Sequence, residues 1–176
     1  ADVYREGIGR LEPTDFRFAA ELGYVIKLLA IARRVEGYLQ VRVHPAFVPV
    51  GQPLAKVDGV LNAVEIEGDL IGWTMFQGPG AGSEPTASAV VGDILEISRG
   101  IAAGAQPSLP PALDRGMPIQ SMDDIETQYY LRLRAADRPG VMAQIAKSLG
   151  DRGVSLASVI QKDPPRIDGS AEIVIT

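Results

Sequence analysis

The sequence predicts an α+β chain in two folded parts, and three observations carry that reading. Apolar residues alternate at a two-residue interval in several stretches on both sides of the chain. Longer helical signals are confined to three stretches, near 15–22, 85–103 and 141–150. Between them, residues 104–125 ("GAQPSLPPALDRGMPIQSMDDI") hold four of the thirteen prolines and sustain neither interval. That segment reads as a linker or an extended crossing segment. The first part, 1–103, is expected to form an antiparallel or mixed sheet with helices on one face. The second, 126–176, is expected to run β-α-β-β.

In the first part, Thr14 or Asp15 can cap a short helix over 15–22, which Gly23 ends. "YVIKLLAIARRV" is short and carries β-branched Val25, Ile26 and Ile31, so it reads as a strand. "GYLQVRVHPAFV" alternates, with Leu39, Val41 and Val43 on one face. "PLAKV" makes a helical turn with Pro53 at its start. "GVLNAVEIEGDLIGWTMFQG" reads as a hairpin about Glu67-Gly68-Asp69, with Gly68 supplying a positive φ. A helix follows from about Pro85 to Ala103. Its apolar stripe is Ala89, Val90, Ile94, Leu95, Ile97 and Ile101, and Arg99 suits the negative end of its dipole.

In the second part, "TQYYLRLRAA" places Tyr129, Leu131 and Leu133 on one face and Tyr130, Arg132 and Arg134 on the other. "DRPG" breaks the strand. Val141, Ile145 and Leu149, with Met142 and Ala146 beside them, then recur at a helical interval. "VSLASVIQK" and "SAEIVIT" read as two further strands joined by a Pro- and Asp-rich loop.

Composition removes several function classes. The chain has no cysteine and one histidine, His44. Disulfides, thiolate chemistry and multi-histidine metal sites are excluded, and no metal site is expected. The net charge of −5 argues against a nucleic-acid binder. No run is long and apolar enough for a membrane span and no signal peptide is recognisable, so the expected setting is cytoplasmic.

The residues with most to say about chemistry lie in "FQGPGAGSEPTASAVV", 76–91, where three glycines fall within five residues between a strand and a helix. Such a turn lets backbone approach a ligand, and the helix start offers N–H groups to an electron-rich partner. The spacing is Gly-x-Gly-x-Gly, which is not the dinucleotide fingerprint. The competing reading is a plain strand-to-helix turn.

The block "GPGAGSEPTASAVVGDIL" resembles the C-terminal part of the homoserine dehydrogenase catalytic domain. So do "ELGYVIKLLAIA", "VRVHPAFVPVGQPLAKVDGVLNAV" and the opening "DVYREGI". They occur in that family's order and cover residues 1–103. The resemblance implies an enzyme that interconverts L-homoserine and L-aspartate 4-semialdehyde with NADP or NAD, on the route to threonine, methionine and isoleucine. It implies a cofactor contact at Gly80 and Gly82 near the nicotinamide end, with Thr86 adding a hydroxyl. The alternative is that Gly80 and Gly82 serve strand–helix packing and Thr86 caps the helix. The family's cofactor-binding Rossmann domain and its catalytic lysine would precede Asp2, so no catalytic residue is carried over. These 176 residues alone are expected to be inactive.

Residues 127–176, with the loop Asp137-Arg138-Pro139-Gly140, resemble an ACT domain, a ferredoxin-like βαββαβ module that binds amino acids. The second helix and fourth strand of that pattern are not in the sequence, and the expectation is a truncated domain, or one whose bare edge another chain covers. The resemblance implies a regulatory site at Asp137, Gly140 and Val141, with Gln161 reaching it from a neighbouring subunit. L-threonine is the implied effector and a homo-oligomer the implied assembly. In the alternative, Asp137 is an N-cap, Pro139 the first helical residue, and nothing binds. A wider alternative for the chain is a non-catalytic amino-acid-sensing or dimerisation module.

Other tempting residues have plainer readings. His44 reads as structural. Lys27 reads as a partner of Glu21 or Glu36, or as a snorkelling side chain. Glu65 and Glu67 read as a solvated sheet face, and Trp73 as core or interface.

Overall fold

The computed structural model describes residues 3–104, 116–161 and 169–176. The linker expectation for 105–115 and the loop over 162–168 fall outside these residues. Three small sheets and three helices make up the α+β fold. In chain order they are β1 (Tyr4–Arg5), α1 (Pro13–Glu21), β2 (Tyr24–Val35), β3 (Tyr38–Pro49), β4 (Leu61–Gly68), β5 (Gly72–Pro79), α2 (Ser83–Ala102), β6 (Leu131–Ala136), α3 (Val141–Gly150), β7 (Val159–Gln161) and β8 (Ser170–Ile175).

The first sheet has the order β1-β3-β2, with β1 parallel and β2 antiparallel to β3. Glu36 and Gly37 alone separate β2 from β3, and both have positive φ, 47° and 87°. That is the backbone a two-residue turn needs to match strand twist. Helix α1 begins two residues before the expected start. Pro13 is its first residue, where a fixed φ helps and a missing N–H costs nothing. Glu12 therefore holds the cap position in place of Thr14 or Asp15. The Glu12 amide donates to the Asp15 carboxylate at 2.8 Å, which is one half of a capping box.

The hairpin β4–β5 forms a sheet of its own and does not extend the first. Its positive φ of 67° falls on Gly72 and not on Gly68, because the loop is Asp69-Leu70-Ile71 and the left-handed residue closes it. Helix α2 runs on from this hairpin, and none of its residues is buried. Ile94 and Ile97 are 57% and 62% exposed, and Val64, Ile66, Trp73 and Phe76 on the hairpin are equally open.

Residues 116–125 behave as a crossing segment packed on the first part. Leu39 donates its N–H to Pro118 and receives one from Gln120, each at 2.9 Å. Ile125 is buried.

The last sheet has the order β6-β8-β7, all antiparallel. Its middle strand is the densest part of the core: Ala171, Ile173, Val174 and Ile175 are all buried. Strand β7 is three residues long, shorter than "VSLASVIQK" suggested. Ala157 and Ser158 instead donate backbone N–H groups to the Thr176 carbonyl.

Candidate functional site

Two places in the fold gather the residues singled out above. The first is the turn from β5 into α2. Gly82 is the residue before the helix, with φ 130° and ψ 154°, a region essentially closed to residues with a Cβ. Its carbonyl accepts the Thr86 N–H at 3.2 Å and the Thr86 hydroxyl at 2.8 Å. The hydroxyl proton is thus directed back along the helix, while its oxygen can still accept. Gly80 has a packing reason to be glycine, since a Cβ there would collide with the Asn62 side chain. Its N–H donates to the Val60 carbonyl at 2.8 Å. Gly80, Gly82 and Thr86 are all exposed.

The difference between the two glycines is measurable. Gly82→Ala is expected to cost about 1–3 kcal/mol through backbone strain. Gly80→Ala is expected to cost less, because Asn62 can swing aside. Urea denaturation followed by circular dichroism reads both.

The second place is a cleft of about 360 Å³ in the last unit. Its walls include Asp137, Gly140, Val141 and Gln161, the four residues expected to form a regulatory site, with Ala171 and Ile173 as floor. Gln161 comes from the same chain as the loop, and its amide donates to the Asp137 carboxylate at 3.2 Å. Gly140, with φ 91°, is the residue before α3, so neither Asp137 as N-cap nor Pro139 as first helical residue applies. A left-handed glycine at that point turns the chain sharply, bringing the helix start against the strand ends.

Elsewhere the plain readings hold or change partner. The Lys27 ammonium donates to the Val57 carbonyl and to Asp58, both at 2.6 Å, where the sequence suggests Glu21 or Glu36. His44 accepts from Arg42 Nε at 3.2 Å, and its Nδ1 lies 2.8 Å from the Pro45 carbonyl. That bonding assigns a neutral ring with its proton on Nδ1, which suits a structural histidine.

One cluster carries no sequence signal strong enough to have singled it out. Asp15 is 3% exposed. It accepts from Tyr130 Oη and Arg132 Nε, each at 2.7 Å, and from Arg132 Nη2 at 3.4 Å. Arg132 also pairs with Glu12 and Glu172, both at 3.0 Å. Burial alone would raise the Asp15 carboxyl. The donors from Glu12, Tyr130 and Arg132, with the Arg132 charge, outweigh it and hold the carboxyl below its usual range. Burial, then the Asp15 contact, pushes the Tyr130 phenol up. Beside it, Phe47 lies between the Tyr24 and Tyr130 rings, at centroid distances of 5.6 and 4.8 Å.

Two family profiles match separate stretches of the chain. The sequence profile of homoserine dehydrogenase matches residues 1–95, and that of the ACT domain matches residues 129–176. The chain belongs to the homoserine dehydrogenase family. The homoserine dehydrogenase of Pseudomonas aeruginosa is 40% identical over 98% of this chain and 41% of its own length. That of Neisseria gonorrhoeae is 45% identical over 98% of this chain and 40% of its own length. Among solved structures, a homoserine dehydrogenase from Thiobacillus denitrificans matches with a TM-score of 0.83 at 44% identity, covering 98% of this chain and 40% of that one. One from S. aureus matches at 0.62 and 29%, covering 99% and 41%. The chain therefore spans about two fifths of the length of these members of the homoserine dehydrogenase family.

Among the described residues, no helix is long and apolar enough to cross a membrane. Nor do any three or more His, Asp or Glu side chains form a group that could hold a metal ion.

Proposed function

We propose that the protein acts in NADP- or NAD-linked interconversion of L-homoserine and L-aspartate 4-semialdehyde, in the cytoplasm, under control of an amino acid bound to its last unit. The observation that carries the first half is homology to homoserine dehydrogenases along 98% of the chain at 40–45% identity. Three regions are proposed: catalytic, 1–103; crossing, 104–125; ACT, 126–176.

The β5–α2 turn fits the nicotinamide end of the cofactor on its geometry. Gly82 holds a conformation reserved for glycine, and the Ser83 and Glu84 amides lie in the first turn, ahead of any intrahelical acceptor. Glu84 adds negative charge there, which suits a neutral carboxamide better than a phosphate. In this reading Gly80 shapes the turn, Gly82 and the first amides contact the carboxamide, and Thr86 Oγ1 accepts from it. The cofactor, when bound, supplies or receives the hydride. We assign no catalytic residue to this chain.

The regulatory half rests on the cleft. The α3 start faces an amino-acid carboxylate and Asp137 an ammonium group. The apolar floor leaves room for a small side chain, and L-threonine fits that description. The open faces of β4–β5 and α2 are proposed to pack against other parts of a homo-oligomer. A non-catalytic amino-acid sensor is the second reading, favoured by the cleft alone.

The test is homoserine-dependent reduction of NAD(P)+ by the longest protein the gene encodes, with and without L-threonine. Activity that threonine suppresses is expected. Activity indifferent to threonine would remove the effector assignment, and a folded protein with no activity would leave the sensor reading.

A further inference from the structure

Two strands touch both the cleft and the first part of the chain. Strand β8 sends Ala171 and Ile173 into the cleft, and Glu172 between them points to the opposite face, where it meets Arg132 at 3.0 Å. Strand β6 starts beside that contact and ends at Ala136 on the cleft wall. On this opposite face, Arg132 and Tyr130 close over Asp15, more than a hundred residues away in sequence. Asp15 is not a loose acceptor. It lies in the first turn of α1, where the Glu12 amide holds its second oxygen at 2.8 Å. Helix α1 in turn leads through Gly23 into β2, and the Gly23 carbonyl accepts the Val50 N–H beyond β3 at 3.0 Å.

We infer that the Asp15–Tyr130–Arg132 cluster is the joint through which occupancy of the cleft reaches the first part of the chain. The inference rests on the amino-acid reading of the cleft given above. A side chain entering the cleft presses on Ala171 and Ile173. Glu172, fixed between them, moves the guanidinium it holds. Arg132 cannot follow Glu172 without loosening its grip on a buried carboxylate, so the strain passes to the start of α1. Packed strands and charge-assisted hydrogen bonds transmit such a shift better than loops do. Tyr130, Arg132 and Asp15 are positioning residues in this scheme.

Tyr130→Phe and Arg132→Lys test it gently, since the first keeps the ring on Phe47 and the second keeps the charge. In the longest protein the gene encodes, each is expected to cut the inhibition reached at saturating L-threonine by about threefold or more while moving threonine affinity by calorimetry less than about threefold. Inhibition unchanged from wild type in both variants would overturn the joint.

A second arm needs no effector. Ala171→Val fills the cleft from its floor, and Gln161→Ala removes the amide held on Asp137. By hydrogen exchange, either change is expected to alter amide protection in α1 about tenfold in the wild-type background and not beside Arg132→Lys. An α1 that ignores both cleft substitutions, or answers alike in both backgrounds, would overturn the inference. If threonine does not bind, the effector assignment fails by itself and the exchange arm still decides on the joint.

Discussion

Asp15→Ala is expected to destabilise the protein by about 3–5 kcal/mol, the range for breaking a buried charged pair from one side. The substitution leaves Arg132 without its closest acceptor and Tyr130 Oη without the carboxylate it donates to. Arg132 keeps Glu12 and Glu172 and is about a quarter exposed, at 23%. Solvent therefore softens the loss on that side, and the lower end of the range is the better expectation. Asp15→Asn keeps the shape and removes the charge, and should cost less.

The pair of variants also carries a pH signature. The Asp15 carboxyl is held below its ordinary value of 3.8 in the fold. A carboxyl depressed in this way contributes its full stability above the unfolded value. The contribution is lost as the pH falls through the folded one. Between pH 5 and pH 2 the wild type should lose stability more steeply than Asp15→Asn, and the two curves should converge in acid. Chemical denaturation at a series of pH values reads this directly. Parallel curves would mean that Asp15 titrates normally and that its contacts do not favour the charged form.

Ile173→Ala is the second large effect, expected at about 2–5 kcal/mol, the range for truncating a buried Ile. Ile173 is 2% exposed on the central strand, paired with Leu133 on one side and Gln161 on the other. The lost methyl groups leave a void next to the cleft. A void continuous with an open cleft can admit water, so the cost should fall short of a sealed core site. Val174→Ala, facing the opposite side of β8 and 1% exposed, removes fewer atoms and should cost about 1–3 kcal/mol by the same reasoning. Thermal or urea unfolding of both variants separates them.

Local chemistry made much of this fold legible. The two-residue interval located β3 and β6, shortness and β-branched residues located β2, and the helical interval located α3 to within a residue. The four residues implied by the ACT resemblance, Asp137, Gly140, Val141 and Gln161, line one cleft, but Gln161 comes from the same chain and not from a neighbouring subunit. What escaped was of two kinds. Turn geometry depends on loop length as well as on glycine: three loop residues put the positive φ on Gly72, though Gly68 lies as near. Partners distant in sequence leave no periodic trace. Asp15 carries an ordinary helix-start signal, and Arg132 sits where an exposed strand face would place it. Nothing in either neighbourhood records that the two meet, nor that Lys27 reaches Asp58. The separate β4–β5 sheet escaped for a related reason, since alternation shows which side of a strand is apolar and not which sheet it joins.

Helix α2 breaks the usual tie between exposure and tolerance to mutation. Judged by solvent contact, Ile94 and Leu95 would be ranked with loop positions, open to any polar replacement. Judged by spacing, they belong to a stripe written for contact. A substitution scan weighted by exposure would therefore score this helix as silent, and one weighted by periodicity would score it like a core. The packing proposed above for α2 is what the second weighting would detect and the first would miss.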